Sequence, residues 1–201
     1  MFNTTIATQI YAKICFEATN SQKKIIENLS EYLSGDDFSR IFVLNGFAGT
    51  GKTTLIAAVV AALKELRIKP VLLAPTGRAA KVLARYCGEQ ALTIHKRIYR
   101  QRTNADYESK FSLDFNREQG AVFIVDEASM LSDSTGDGAL FGSGSLLEDL
   151  VSYVRSGRGC RLILVGDSAQ LPPVGCDFSP ALDPATVSRY GEVVYGLMDE
   201  V

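Results

Sequence analysis

Eight consecutive residues, Gly46-Phe47-Ala48-Gly49-Thr50-Gly51-Lys52-Thr53, have the composition of a loop that binds phosphate. They follow an apolar run, Ile41 to Leu44, and open a helix-length stretch, which is the context that a P-loop requires. Glycines let successive N–H groups face a phosphate, and the following helix adds its positive N-terminal end. An ordinary glycine-rich turn is the alternative. The predicted nucleotide-binding residues here are Gly46, Gly49, Thr50, Gly51, Lys52, Thr53 and Thr54.

Two roles within this loop follow from side-chain chemistry. Lys52 is expected to reach the β- and γ-phosphates of a nucleotide, which makes it a candidate catalytic residue, and the Thr53 hydroxyl is expected to bind Mg²⁺. A second acidic site lies further along the chain, where Asp126 and Glu127 follow the apolar run Ala121 to Val125. We predict that Asp126 is a metal ligand and that Glu127 deprotonates the attacking water. The alternative for this pair is a helix N-cap with a neighbouring acid.

The elements that must position these residues alternate between strand-like and helix-length stretches. Such alternation predicts an α/β fold with a parallel sheet and helices on both of its faces. The predicted strands are Ile41 to Leu44, Val71 to Ala74, Ala121 to Val125 and Leu162 to Val165. The predicted helices are Ser21 to Leu33, Lys52 to Leu66, Arg78 to Tyr86 and Leu146 to Val154.

Two segments interrupt this alternation. The polar segment 101–119 contains Phe111-Ser112-Leu113-Asp114-Phe115, whose period of two predicts one arm of a small β-hairpin inserted in the domain. Segment 132–144 holds four glycines among small polar residues, a composition typical of a mobile loop. Neither segment is long enough to form a second domain. We therefore expect residues 1–201 to form one domain.

Composition excludes several classes of protein. The 201 residues are 46% hydrophobic and 22% charged, which fits a globular domain rather than a disordered chain. The apolar run Leu55 to Leu63 is far shorter than the ~20 residues that cross a bilayer, so we expect no membrane partner. With no secretory signal or transit peptide visible, a cytoplasmic location is expected. The four dispersed cysteines do not have zinc-site spacing, and the net charge of −2 requires any nucleic-acid surface to be local.

Five stretches together resemble the motifs of one helicase group. GFAGTGKT at 46, LLAPTGRAAK at 72, TIHK at 93, VDEASM at 125 and LILVGDSAQLPPVG at 162 resemble motifs I, Ia, Ic, II and III of RecD-like superfamily 1B DNA helicases. The resemblance implies a RecA-like P-loop NTPase domain, domain 1A, with ATP and Mg²⁺ as cofactors. It also implies ATP hydrolysis coupled to 5′ to 3′ translocation on single-stranded DNA and duplex unwinding. In this family Gln170 is expected to contact the γ-phosphate, which makes it a candidate catalytic residue.

The resemblance also places the adenine and DNA contacts. Thr19-Asn20-Ser21-Gln22 looks like the family's adenine-reading motif, so Gln22 is a predicted nucleotide-binding residue; an exposed glutamine on a first helical turn is the alternative. The predicted DNA-binding residues are Pro75, Thr76, Gly77, Arg78, Thr93 and His95. His95 is otherwise a structural histidine. The segment 101–119 stands where the family has a pin, and Tyr107, Phe111 or Phe115 would meet a base or pack onto the domain.

A local excess of positive charge supports a DNA track in this region. The basic residues between positions 78 and 102 are Arg78, Lys81, Arg85, Lys96, Arg97, Arg100 and Arg102, against the acid Glu89. Such side chains can follow phosphates without reading sequence. Lys81 and Arg85 equally fit a solvated helix face.

The resemblance further implies a partner that completes the site. A second RecA-like domain of the same full-length protein would supply arginines to the transferring phosphate, and we see no such half within the 201 residues. We therefore expect this chain alone to bind nucleotide weakly, to hydrolyse ATP near background and to unwind nothing. Two other functions are compatible with a P-loop: a small P-loop kinase, for which no arginine-rich lid is recognisable, and a nucleotide-gated binding module, which would not need Glu127.

Overall fold

A computed structural model describes residues 2–103, 109–133 and 141–200 of the chain. Its centre is a sheet of six strands: β1 (Ile41–Gly46), β2 (Pro70–Ala74), β3 (Ala91–Thr93), β6 (Val122–Val125), β7 (Arg161–Gly166) and β8 (Val193–Met198). The strands lie in the order β3-β2-β6-β7-β1-β8, and all of the pairings within the sheet are parallel. The predicted α/β fold with a parallel sheet is confirmed.

Two of these strands were not predicted, and both lie at sheet edges. Strand β3 has only three residues, all half-buried, and it pairs with β2 alone. Strand β8 pairs with β1 alone and exposes part of its length, including Tyr195 and Leu197. An edge strand has one open side and need not be continuously apolar, so its pattern is weaker than that of a central strand. The four buried strands, by contrast, are apolar runs that periodicity detects.

Helices cover both faces of the sheet. The helices are α1 (Phe2–Lys13), α2 (Asn20–Ser34), α3 (Lys52–Glu65), α4 (Gly77–Cys87), α5 (Ile94–Ile98), α6 (Leu146–Ser156) and α7 (Pro184–Val187), with 3₁₀ turns at Ala128–Met130 and Pro180–Leu182. Side chains alternate along each strand, so Phe42 and Leu44 enter a core with α1, α2, α3 and α4. Ile41 and Val43 enter the opposite core with α5 and α6. Among the described residues, no helix has the length and apolarity to cross a bilayer.

The expected hairpin is present with different limits. Strands β4 (Tyr99–Thr103) and β5 (Ser109–Leu113) pair antiparallel, so the insertion begins two residues before the predicted Gln101. Asp114 and Phe115, which belonged to the predicted arm, lie beyond β5, because the Asp114 N–H donates to the Ile98 carbonyl at 2.7 Å and turns the chain back to α5. Tyr107 lies outside the described residues.

Both described ends of the predicted mobile loop are held by the domain. The Phe141 ring stacks on Phe111 with centroids 4.5 Å apart, and the Gly142 N–H donates to the Phe111 carbonyl at 2.9 Å. At the other end, Asp133 accepts a hydrogen bond from the Ser145 hydroxyl at 3.0 Å. Ser132, Asp133 and residues 141–144 are therefore ordered parts of the fold. Residues 134–140, on which the prediction of mobility also rests, lie outside the described residues.

Candidate nucleotide and nucleic-acid site

The predicted phosphate loop connects β1 to α3 and has the backbone that its glycines allow. Gly49 and Gly51 have φ of 82° and 84°, in the left-handed region that side chains disfavour, and Gly51 is the N-cap of α3. Gly46 is required for another reason. A Cβ at Gly46 would lie 2.8 Å from the Met198 Cβ, so the loop passes too close to β8 for any side chain. The free N–H groups at the N-terminal end of α3 therefore adjoin the loop, and together they could bind a phosphate.

Lys52 folds over this loop. Its Nζ donates to the carbonyl oxygens of Gly46, at 2.5 Å, and Phe47, at 2.8 Å, and lies 3.9 Å from Asp167 Oδ2. Asp167 is buried at the end of β7, next to the motif that contains Gln170. The ammonium group therefore sits where the phosphate loop meets the motif III loop. Thr53 is half-buried on the first turn of α3, and Thr54 beside it is exposed.

Gln22 is buried rather than exposed, which excludes the surface alternative. Its Nε2 donates to the Thr50 carbonyl at 3.0 Å, and its Oε1 accepts from the Thr19 N–H at 3.1 Å, completing a capping box for α2. One amide thus ties helix α2 to the phosphate loop. One amide hydrogen and one lone pair remain, so recognition of adenine by Gln22 stays a prediction.

The two candidate acids leave the carboxyl end of β6 together. Glu127 has φ of 55°, the left-handed region that a glutamate rarely adopts, and its N–H donates to Asp126 Oδ1 at 3.0 Å. Such strain is characteristic of functional positions. Burial raises the pKa of Asp126. Burial, and then the adjacent Asp126 charge, raise the pKa of Glu127. Within the described part of the chain neither carboxylate has an ion pair, so both are available to a cation or a reactant.

The predicted magnesium ligands suit that ion. Mg²⁺ prefers hard oxygen donors and few protein ligands, and Thr53 and Asp126 offer a hydroxyl and a carboxylate. Asp126 is half-buried, and burial raises the pKa of its carboxyl although the Glu127 N–H and the Lys52 charge lower it; a bound cation would relieve this cost. The residues present therefore fit a magnesium ion.

One cleft brings together two of the predicted catalytic residues and two of the predicted DNA-binding residues. It has a volume of about 350 Å³, and its lining includes Asp126, Glu127 and Gln170 together with Thr76 and Arg78. Ala79, Val82 and Met130 complete the lining. Sequence alone separates these groups by as many as 94 positions (170 − 76). The fold places them around a single space because β2, β6 and β7 are neighbours and all three end at this edge.

The two threonines predicted to contact DNA both cap helices. Thr76 Oγ1 accepts from the Ala79 N–H at 3.2 Å and caps α4, and Thr93 Oγ1 accepts from the Lys96 N–H at 3.2 Å and caps α5. A hydroxyl that accepts in this way still has its proton to donate, so each threonine can serve a phosphate oxygen as well. Thr76, Gly77 and Arg78 are exposed, and Pro75 is half-buried.

His95 lies in a cluster of rings at the root of the hairpin. Its ring meets Phe141 edge-on with centroids 5.0 Å apart and Tyr99 at 5.6 Å. Burial lowers the pKa of His95, which favours the neutral imidazole. This is the structural alternative considered for His95, and it leaves the ring half-exposed. Phe111 likewise packs onto Phe141, so its ring faces the domain, whereas Phe115 is exposed.

Sequence reasoning assigned no role to two buried polar residues of the site, Asp167 and Asn45. Asn45 Nδ2 donates to Ser168 Oγ at 2.8 Å and to the Tyr195 hydroxyl at 2.9 Å, and its Oδ1 accepts from the Ser168 N–H at 3.0 Å. It therefore joins the phosphate loop to the motif III loop and to β8. An asparagine at the end of an otherwise apolar strand was a detectable signal, because buried polar groups need specific partners.

Comparison with known proteins agrees with this geometry. The profile of a family described as an AAA domain matches residues 17–177. The ATP-dependent RecD2 DNA helicase of Deinococcus radiodurans is 33% identical over 135 residues, covering 67% of this chain and 16% of that protein. The ATP-dependent DNA helicase Dda of Enterobacteria phage T4 is 34% identical over 136 residues, covering 65% of this chain and 28% of that protein. The chain thus spans less than a third of the length of either relative.

Solved structures confirm the RecA-like fold. A Pif1 helicase from Bacteroides, in complex with ADP-AlF3 and ssDNA, matches with a TM-score of 0.57 and 18% identity, over 92% of this chain and 43% of that one. The Pif1 helicase from Candida albicans matches with a TM-score of 0.57 and 21% identity, over 92% of this chain and 40% of that one. The chain therefore belongs to this AAA-domain family, as a motor domain of the RecD-like superfamily 1 helicases.

Proposed function

We propose that this chain is the ATP-binding motor domain of a DNA helicase that couples ATP hydrolysis to 5′ to 3′ translocation on single-stranded DNA and to duplex unwinding. The observation that carries the proposal is the shared cleft, which is lined by Glu127 and Gln170 and also by Thr76 and Arg78. Groups that respond to the γ-phosphate and groups that hold DNA phosphates would adjoin the same space. A change at one set can therefore be transmitted to the other without a long path.

In the proposed reaction the chain binds and orients ATP and activates water. The N–H groups of the phosphate loop and the Lys52 ammonium hold the β- and γ-phosphates, and Thr53 and Asp126 would hold Mg²⁺. When bound, this ion neutralises charge on the phosphate oxygens. Glu127 accepts the proton of the attacking water, and its raised pKa makes the carboxylate a stronger base than an exposed glutamate. Gln170 senses the γ-phosphate.

In the proposed DNA track the chain contacts the backbone of one strand. The Thr76 and Thr93 hydroxyl protons and the exposed Arg78 side chain are donors to phosphate oxygens, and Pro75 and Gly77 shape the approach of the strand. Such contacts read no base, so affinity should be similar across sequences and should fall with salt. We include His95 in the track through its half-exposed edge, with its packing on Phe141 as the competing role.

The proposal includes a second RecA-like domain of the full-length protein. The relatives are several times longer than the matched region, so there is room in them for such a domain. Its arginines would stabilise charge on the transferring phosphate, an effect worth ~10³ to 10⁵ in rate in other phosphoryl-transfer enzymes. We accordingly propose that the 201 residues alone bind nucleotide, hydrolyse it near background and do not unwind a fork.

The test combines phosphate release with DNA binding. In the full-length protein, single-stranded DNA should stimulate phosphate release, and Lys52→Ala should reduce release to background because the cation aimed at the phosphates is lost. Nonhydrolysable ATP should change the affinity for single-stranded DNA, which a kinase or an uncoupled module would not show. Normal turnover by Lys52→Ala would contradict the proposal.

The matched control is Lys81→Ala, an exposed lysine on α4 outside the shared cleft. It should retain turnover, because it removes an equal charge away from the phosphates. Robust unwinding by the 201 residues alone would instead contradict the need for a second domain.

A further inference from the structure

A second cleft lies beside the root of the hairpin, with a volume of about 390 Å³. It shares no lining residue with the catalytic cleft. Its lining includes Leu92 and Tyr153 and four cations, Lys96, Arg97, Arg100 and Arg117. We call this cleft the flank groove. Helix α5 links it to the proposed track, since Thr93 caps the start of that helix and Lys96 and Arg97 follow within it.

The acids of the flank groove are already neutralised. Glu118 pairs with Lys69 at 2.8 Å and with Arg97 at 2.6 Å, and Asp114 pairs with Arg100 at 2.6 Å. Burial opposes the ionisation of Glu118, but the hydrogen bonds from both cations outweigh it and hold the pKa of this carboxyl below its usual range. The two acids are thus ionised and fully paired at neutral pH.

Two cations of the groove are left over. Lys96 and Arg117 are exposed, and neither pairs with a carboxylate in the described part of the chain. The groove therefore has an excess of positive charge on a domain whose net charge is −2. Charge of this kind, concentrated in a concave surface, attracts a polyanion.

An aromatic ring stands at the rim of the same groove. Phe115 is 64% exposed, although the nearby Leu113 is half-buried and Asn116 is buried. An exposed phenylalanine forgoes the stabilisation that burial of its ring would give. Next to unpaired cations, it matches the arrangement that binds single strands, in which bases stack on aromatic rings and cations contact phosphates. A folded acidic protein would use the charge but would have no need of an open ring face.

We propose that the flank groove binds single-stranded nucleic acid outside the track, with Lys96 and Arg117 on its phosphates and one base stacked on Phe115. The proposal rests on the proposed function to the extent that the domain works on DNA. It adds a second site, which shares no lining residue with the catalytic cleft and holds a segment of strand not engaged by Thr76 and Arg78.

The test measures binding of oligothymidylates to the 201-residue chain by fluorescence anisotropy. Lengths of about 5 and about 20 nucleotides bracket common single-strand site sizes, so the short one fills the track and the long one reaches both sites. Lys96→Glu combined with Arg117→Glu should lower the affinity for the long oligonucleotide about tenfold and the affinity for the short one by less than about twofold. The slope of log affinity against log salt should fall by about 1.4 for the long one, at about 0.7 for each lost phosphate contact.

The matched control is Lys23→Glu combined with Lys24→Glu, the same double reversal on exposed positions of α2, across the sheet from the groove. It should leave both affinities within about twofold. Phe115→Leu should lower the affinity for the long oligonucleotide about fivefold or more, because it removes the ring. Phe115→Tyr keeps a ring and should bind as the unaltered chain does. Position 115 is exposed, so the melting temperatures of both variants should match that of the unaltered chain.

The outcomes separate this inference from the proposed function. Unchanged affinity of the groove variants, with loss on Thr76→Ala, would refute the flank groove and leave the track in place. An unaltered chain that binds neither length would refute both. If polyglutamate of equal charge displaces the long oligonucleotide as well as unlabelled oligothymidylate does, the groove is a general anion surface and the assignment to nucleic acid is wrong.

Discussion

The bond between Gln22 and the phosphate loop can be broken by changing one functional group. Gln22→Glu keeps the oxygen that accepts from the Thr19 N–H but replaces the amide that donates to the Thr50 carbonyl at 3.0 Å. At neutral pH the substituted side chain would place a carboxylate against a carbonyl oxygen at a position only 5% exposed. The variant therefore tests the link from α2 to the loop without removing the capping box.

The expected cost follows from the contacts. Leaving the Thr50 carbonyl without its buried partner costs about 2 kcal/mol, and the positive end of α2 returns about 0.5 kcal/mol to a carboxylate there. The net loss of about 1.5 kcal/mol lowers the melting temperature by about 3 to 6 °C for a chain of this size. Burial and the facing Thr50 carbonyl also raise the pKa of the new carboxyl above that of an exposed glutamate.

The raised pKa fixes the sign of the pH dependence. Below about pH 4 the new carboxyl is protonated in both states and can donate to the Thr50 carbonyl, so the variant should be as stable as the unaltered chain. This stability is lost as pH rises through the raised pKa of the folded state, and it stays lost at pH 7. Thermal melts of both chains across this range measure the difference. Gln90→Glu, the same exchange at an exposed position, should show no such dependence.

Nucleotide selectivity distinguishes the two roles of Gln22. If the amide acts through the loop alone, Gln22→Glu lowers the affinities for ATP and GTP by the same factor. Because Gln22 keeps one amide hydrogen and one lone pair for adenine, we expect a loss for both nucleotides and a larger loss for ATP. Unchanged stability together with a loss confined to ATP would refute the link to Thr50 and favour direct recognition of adenine.

Three further predictions concern the acid, the track and the hairpin. Glu127→Gln should bind nucleotide in a fluorescence assay but release no phosphate, and loss of nucleotide binding would argue against the role of Glu127 as base. Because burial raises the pKa of Glu127, the variant should be more stable than the unaltered chain at neutral pH but not at pH 4. Thr76→Ala should lower the affinity for single-stranded DNA in anisotropy measurements without changing the affinity for ATP. Thr76→Ser keeps the helix cap and the hydroxyl, so it should bind DNA normally. Equal losses of DNA affinity in both variants would point to the methyl group instead. Phe141→Ala removes the ring that stacks on Phe111 and should destabilise the hairpin by about 2 kcal/mol. Amide exchange in β5 should become faster, and nucleotide affinity should not change. Unchanged exchange would mean that β5 is held by other contacts.

Local chemistry made the phosphate loop and the acid pair readable from the sequence. A P-loop is a continuous segment, and its glycines, lysine and hydroxyl serve one ligand through the backbone that they themselves allow. Asp126 and Glu127 follow directly from the end of a buried strand. The four central strands were readable for a related reason, since burial on both faces demands unbroken apolar runs.

Only the tertiary structure decided which distant groups meet. Neighbouring strands β2, β6 and β7 bring Thr76 and Gln170 to one cleft, and the approach of β7 to β1 sets Asp167 beside Lys52. The packing of His95 among aromatic rings was equally out of reach of sequence. Sequence patterns report the environment of each residue along its own element, whereas these contacts depend on strand order. That order is set by how whole elements pack, so the fold had to be known before the cleft could be drawn.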